Sequence, residues 1–196
     1  MRIALLSDIH GNSIALNAVL QDIAAQGGVD GYWILGDLVA IGPDPIGVME
    51  QLTALPHAVF TRGNTDRYTV TGERPSPFET DVKQDLDLLP LYKEVNNCFA
   101  WTQGAITAAG YFEWLSNLEL EHRHTLPNGI RCLGVHASPG RDDGSGVHPK
   151  STQQELQTLV GGCGADIVFV GHTHASCDIT VEDIRIVNLG SISNPI

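Results

Sequence analysis

Seven side chains in this sequence have the chemistry of a metal centre: Asp8, His10, Asp37, Asn64, His136, His172 and His174. They offer hard carboxylate or amide oxygens and borderline imidazole nitrogens. That mixture favours Mn, Fe, Co, Ni or Zn over Mg or Ca. Asp8 and His10 lie two residues apart, as do His172 and His174. In an extended chain, residues i and i+2 point to the same side. Each pair can therefore aim two ligands at one place. Singly, each residue has a plain structural reading, as a polar strand end or a hydrogen-bonding histidine. Together they share one position: each sits beside a glycine or at a sharp exit from an apolar run.

Those apolar runs are the elements that must position the ligands. Ile3–Ser7 reads as a buried strand, followed by a helix capped by Asn12 or Ser13, with Leu16, Val19, Leu20 and Ile23 on one face. Gly27-Gly28 stops it. Gly31–Leu35 is a second strand, ending in Gly36-Asp37, and a short helix spans about Ile46 to Leu55. Ala58–Thr61 is a third strand, ending in Arg62-Gly63-Asn64-Thr65-Asp66. Alternating strands and helices imply a parallel sheet with right-handed crossovers. In open α/β sheets, ligands bind at the carboxyl ends of the strands.

The pattern changes over 68–118. Glu73–Pro77 is a loop, while Asn97–Gly110 and Tyr111–Leu118 read as helices with Phe99, Trp101, Tyr111, Phe112 and Trp114 as aromatic surface. This is expected to be a helical insertion beside the site: a lid, or ordinary core between short helices. Further on, Pro127-Asn128-Gly129 joins two strand-like runs, a strong hairpin signal, and the second run ends in His136. Residues 137–150 form a glycine-rich loop. A capping box, Ser151 with Gln154 or Thr152 with Glu155, opens another helix. Ile167–Val170 is a strand ending in Gly171-His172-Thr173-His174, and a second hairpin, Cys177–Val181 with Ile184–Val187, follows. No repeat or linker divides the 196 residues, so a single domain is expected.

Taken as a set, the motifs resemble those of the calcineurin-like metallophosphoesterases, in particular their small bacterial and archaeal phosphodiesterase branch. They are D-x-H at Asp8–His10, G-D at Gly36-Asp37, G-N at Gly63-Asn64, His136, and G-H-x-H at Gly171–His174, in the family's order. The resemblance implies an α/β fold: a four-layer α-β-β-α sandwich of two mixed β-sheets. It implies two metals, one held by Asp8, His10 and His174 and the other by Asn64, His136 and His172, with Asp37 bridging. Asp37, Asn64 and His136 are thereby expected to be catalytic. The implied activity is hydrolysis of a phosphate ester by in-line attack of a metal-bridging hydroxide. Independently, two divalent ions sharing a water lower its pKa and clamp the oxygens of such a displacement. Many relatives continue past the step at Gly190-Ser191 with another strand.

One departure matters. Many relatives read G-N-H-[DE], with that histidine assisting the leaving group, whereas here Thr65 precedes Asp66. A hydroxyl with no titration near neutral pH is a poor general acid. The expectation is a phosphodiesterase rather than a phosphomonoesterase. Asn12, Arg62, Thr65 and His148 are candidates for binding substrate. Arg62 or Arg67 could pair with a phosphate oxygen, or each could form a surface ion pair. Arg141 and His148 lie in the loop that follows His136. His57, His122 and His124 read as structural. A competing class is a scaffold of this fold without turnover that binds protein partners. Such relatives tend to lose metal-motif histidines, and this chain keeps all four.

Composition narrows the rest. Net charge is −12, which argues against broad nucleic-acid or anionic-membrane binding. No apolar run approaches the ~20 residues of a membrane span. The apolar start, Ile3–Leu6, is too short for a signal peptide. Four cysteines without a C-x-x-C read as reduced thiols, so a cytoplasmic location is expected. The partner expected is a phosphate-ester substrate, with a homo-oligomer open.

Overall fold

Both faces of each central strand are apolar, and the structure uses both. The computed structural model describes all 196 residues. Strands β1 (Ile3–Leu6), β2 (Gly31–Leu35) and β3 (Ala58–Thr61) run parallel in that order, with Leu6 opposite Ile34 and Leu35 opposite Thr61. A second sheet holds β4 (Glu121–Thr125), β5 (Arg131–Val135), β6 (Ile167–Val170), β7 (Cys177–Val181) and β8 (Ile184–Asn188). Its order is β4-β5-β6-β8-β7, with both hairpins antiparallel and the centre parallel. Only this sheet is mixed. The first is parallel throughout because a helix joins each of its strands to the next.

Three apolar cores separate the layers. In β2, Trp33 and Leu35 pack between the sheets with Phe169 and Cys132, whereas Ile34 and Tyr32 face the helices outside. In β6, Phe169 faces the other sheet, while Val168 and Val170 pack outward with Leu156 and Val160. The layers are thus helices, three-stranded sheet, five-stranded sheet, helix. A strand buried on both faces reads as a continuous apolar run.

Helix α1 (Ser13–Ala25) starts where the Asn12 side chain accepts the Ala15 N–H at 3.0 Å. Helix α2 (Pro45–Thr53) starts with Asp44 capping Gly47 and proline in the first turn. Then come α3 (Asn64–Thr71), α4 (Glu79–Gln84), α5 (Leu89–Ala108) and α6 (Phe112–Ser116). The helix expected from Asn97 is the second half of α5, which starts earlier because Pro90 sits in its first turn. Most aromatics here are core: Trp114 stacks edge-on against Phe60, and Phe99 against Tyr68. Trp101 is exposed. Thr152 and Glu155 form the capping box of α7 (Gln153–Val160).

Candidate metal centre

The strands stop short of the ligands. β1 ends at Leu6, and beyond it Asp8 and His10 have φ of 55° and 49°. Asp37, His172 and His174 are also left-handed, at 56°, 69° and 58°. Asp8 and His10 therefore converge by sharp turns, not by extended-chain alternation. A non-glycine residue at positive φ is uncommon, and such strain persists only where the surroundings enforce it. Five of the seven candidate ligands share it, and all seven meet at the strand ends.

Two clusters form. In the first, His10 Nε2 and His174 Nε2 lie 3.0 Å apart, with Asp8 Oδ1 3.8 Å and 3.3 Å from them. In the second, Asn64 Oδ1 lies 3.1 Å from His136 Nε2 and 3.0 Å from His172 Nδ1. Asp37 stands between them: Oδ2 is 3.6 Å from His10 Nε2 and Oδ1 is 3.4 Å from His136 Nε2. Donor atoms of Asp8, His10 and His174, and of Asp8, Asp37 and His136, are each close enough together to hold an ion. Two metal–nitrogen bonds of about 2.1 Å meeting at a right angle put their nitrogens about 3.0 Å apart. The residues present fit a metal.

The outward nitrogens are occupied. His136 Nδ1 lies 2.8 Å from the Leu35 carbonyl, and His172 Nε2 lies 2.9 Å from the Gly144 carbonyl. A proton on each of these nitrogens leaves the inward nitrogen free to ligate, as metal-binding imidazoles require. His172 would bind through Nδ1 and His136 through Nε2.

Electrostatics bind the pair at the centre. Burial works against a charge on Asp37, yet His136, His10 and the Thr65 amide hold its pKa well below the usual carboxylate range. Burial also works against charge on His136, but the Asp37 carboxylate, its hydrogen bond and Asp8 raise the pKa to about 10. Burial lowers the His10 and His172 pKa values. The contact with Asp8 raises that of His174.

Several residues that hold this centre were not singled out in the sequence. Asp66, fully buried, accepts the backbone N–H groups of Asp37, Leu38 and Gly63, all at 2.9 Å. Burial and the charge on Asp37 push its pKa up to about 7. The buried Asn188 amide donates to the carbonyls of Val147 and Gly171 and to the Thr173 hydroxyl, tying the 144–147 loop to the G-H-T-H turn. Ser191 Oγ donates to the Asp8 carbonyl at 2.9 Å. A Cβ on Gly63 would strike Asp37 Oδ1, and one on Gly171 would strike Asp8 Oδ2. Gly63 and Gly171 adjoin the motif residues Asn64 and His172, and those glycines are the signal that was legible.

The four substrate-binding candidates separate. Thr65 lines the cleft; its N–H donates to Asp37 Oδ1 at 2.9 Å, and its buried hydroxyl has no partner. Asn12 is the cap of α1. Arg62 turns away to Asp142 at 2.8 Å, and Arg67 binds Asp142, Asp143 and Glu73. The ion-pair alternative describes both arginines. His148 lines a different hollow with Lys150 and Glu155, and its ring accepts from the Lys150 N–H. The loop is pinned back by Asp142, so its length does not carry His148 over the ligands.

Above the ligands lies a cleft of about 460 Å³, with His10, Asp37, Asn64, Thr65, His172 and His174 on one side. The rest of the lining is mostly apolar and comes mainly from α5, with Glu94 its one charged member. The four cysteines are unpaired, and no helix is long and apolar enough to cross a membrane.

Comparison with known proteins agrees with this geometry. The family model for calcineurin-like phosphoesterases matches residues 1–176. An uncharacterized protein of Methanocaldococcus jannaschii is 30% identical over 174 residues, 88% of this chain and 62% of that protein. The chain thus spans under two thirds of that relative. Among solved structures, a hypothetical protein from Pyrococcus horikoshii superposes with a TM-score of 0.78 at 19% identity, covering 99% of this chain and 78% of the other. A metallophosphoesterase from Sphaerobacter thermophilus gives 0.71 at 24% identity, covering 100% and 78%. At those identities the two structures speak for the fold. The family match over most of its length, on a fold that gathers all the motif residues, makes this chain a member of the calcineurin-like phosphoesterase family.

Proposed function

We propose that the chain is a metal-dependent phosphodiesterase holding two divalent transition ions among Asp8, His10, Asp37, Asn64, His136, His172 and His174. The observation that carries this reading is the 3.0 Å approach of His10 Nε2 to His174 Nε2 beside two buried carboxylates. Two neutral imidazole nitrogens so close repel unless a proton or a cation lies between them. Two divalent ions there would acidify a shared water and polarise phosphoryl oxygens.

The chain's own groups do the rest. Asp37 presents one oxygen to each cluster and can serve both. Asn64 supplies a neutral oxygen, which leaves the site positive toward an anionic ester. Thr65, whose hydroxyl is buried without a partner at the cleft wall, provides no acid near neutral pH. Esters whose alcohol leaves unaided are therefore favoured. A scaffold without turnover is the weaker alternative, since it has no use for five ligand residues held in strained conformations. The test is metal analysis of the purified protein together with a screen of aryl phosphodiesters and alkyl phosphomonoesters. Metal-dependent turnover of the diesters supports the reading; loaded protein inert toward every ester refutes it.

A further inference from the structure

The wall opposite the ligands is built from Ile41 on the loop after β2 and from Leu91, Val95 and Phe99 on α5. Two features of this wall are unusual. Ile41 has φ of 85°, a genuine outlier for a β-branched side chain. It is also 53% exposed, and Leu91 is 48% exposed. Neither strain nor exposed apolar surface contributes to folding, and strain of this kind concentrates at ligand clamps.

Ile41 is held rigidly. Its loop is laced to the loop that carries the ligands, from Gly11 N–H to the Leu38 carbonyl and from Asp44 N–H to the Gly11 carbonyl, both at 2.9 Å. A Cβ on the neighbouring Gly42 would strike the His10 carbonyl. The position of Ile41 is thus fixed relative to His10. The α5 part of this wall is apolar except for Glu94, which sets a second anion at a disadvantage.

Resting on the phosphoesterase reading, we propose that Ile41 and the Leu91–Val95–Phe99 face form a specificity clamp. It grips an uncharged aromatic or bulky apolar group esterified to the phosphate, while the ligands hold the phosphoryl head. The cleft volume suits a small organic molecule.

Binding of two phosphonates with the same head group tests this without relying on turnover. Phenylphosphonate and methylphosphonate are titrated calorimetrically into Mn-loaded protein. The phenyl compound should bind roughly tenfold tighter or more, as an apolar pocket discriminates. Leu91→Ser and Ile41→Gly should each bring the phenyl-to-methyl ratio toward one; glycine accepts the backbone angle at position 41. Equal affinities in the wild type, or a ratio unchanged in both variants, would overturn the clamp alone. Failure of both phosphonates to bind would overturn the clamp; the phosphoesterase reading is judged separately, by turnover of aryl phosphodiesters by the same Mn-loaded protein.

Discussion

Asp66 Oδ2 accepts the backbone N–H of Asp37 at 2.9 Å, so one buried carboxylate fixes the loop that carries another. The same side chain takes the N–H groups of Leu38 and Gly63, joining the ends of β2 and β3. Asp66→Ala leaves three buried donors unpaired and should destabilise the protein by about 3 kcal/mol or more. Asp66→Asn keeps one acceptor oxygen and should lie between. Urea unfolding measures both, and an alanine variant as stable as wild type would show that Asp66 does not hold these loops.

Asp37 and Asp8 are not equivalent. Asp37 faces a histidine of each cluster. Asp8 lies nearest His174 and also accepts the His172 N–H at 3.0 Å. Asparagine tolerates the left-handed backbone at both positions. Asp37→Asn should release both ions and cost at least about tenfold more activity than Asp8→Asn. Metal content per chain, measured alongside rate, decides it; equal losses would argue against a shared carboxylate.

Thr65 stands where many relatives carry histidine, and its hydroxyl, buried without a partner, is no acid near neutral pH. Rates should therefore fall steeply as the leaving-group pKa rises. Thr65→His should flatten that dependence, since general acid help is worth ~10²–10⁴-fold where it operates. A leaving-group series in both proteins reads this directly. A wild-type rate indifferent to leaving-group pKa would mean that another group protonates the departing oxygen.

Metal and proton compete for His136. Its pKa, raised to about 10, means that the metal-free chain carries that proton at neutral pH. Without metal, this shift adds stability that is complete below about 6.5 and is lost as pH rises through about 10. Metal loading must expel the proton, so affinity should strengthen by up to about tenfold per pH unit over that window. Calorimetry in buffers of different ionisation enthalpy should detect the released proton. No release and no pH dependence between about pH 7 and 9 would show His136 already neutral.

How much could be read from the sequence depends on whether the cause was local. β2, β3 and β6 match the expected strands residue for residue, because strands buried on both faces are unbroken apolar runs ended by glycine or a polar residue. α3 was not legible: its Asn64–Thr71 sequence is too polar for helical periodicity. α5 was cut short at Asn97, although it starts at Leu89 with proline in its first turn. The ligand types were visible, but the left-handed turns that aim them were not, since Asp and His tolerate positive φ more than most residues without requiring it. Arg62 finds Asp142 80 positions away, a pairing no spacing announces. The apolar wall of the cleft was hidden in the same way, since only the fold brings Ile41 and Leu91 to one cleft.

The proposed chemistry needs two ions acting together in one site. The measurement that tests it most directly is a stoichiometric titration of metal-stripped protein with Mn, following hydrolysis of an aryl phosphodiester. Activity should remain low through the first equivalent and reach its plateau at about two equivalents per chain, as a two-metal displacement requires. A plateau at one equivalent, or no hydrolysis with two ions bound, would contradict it.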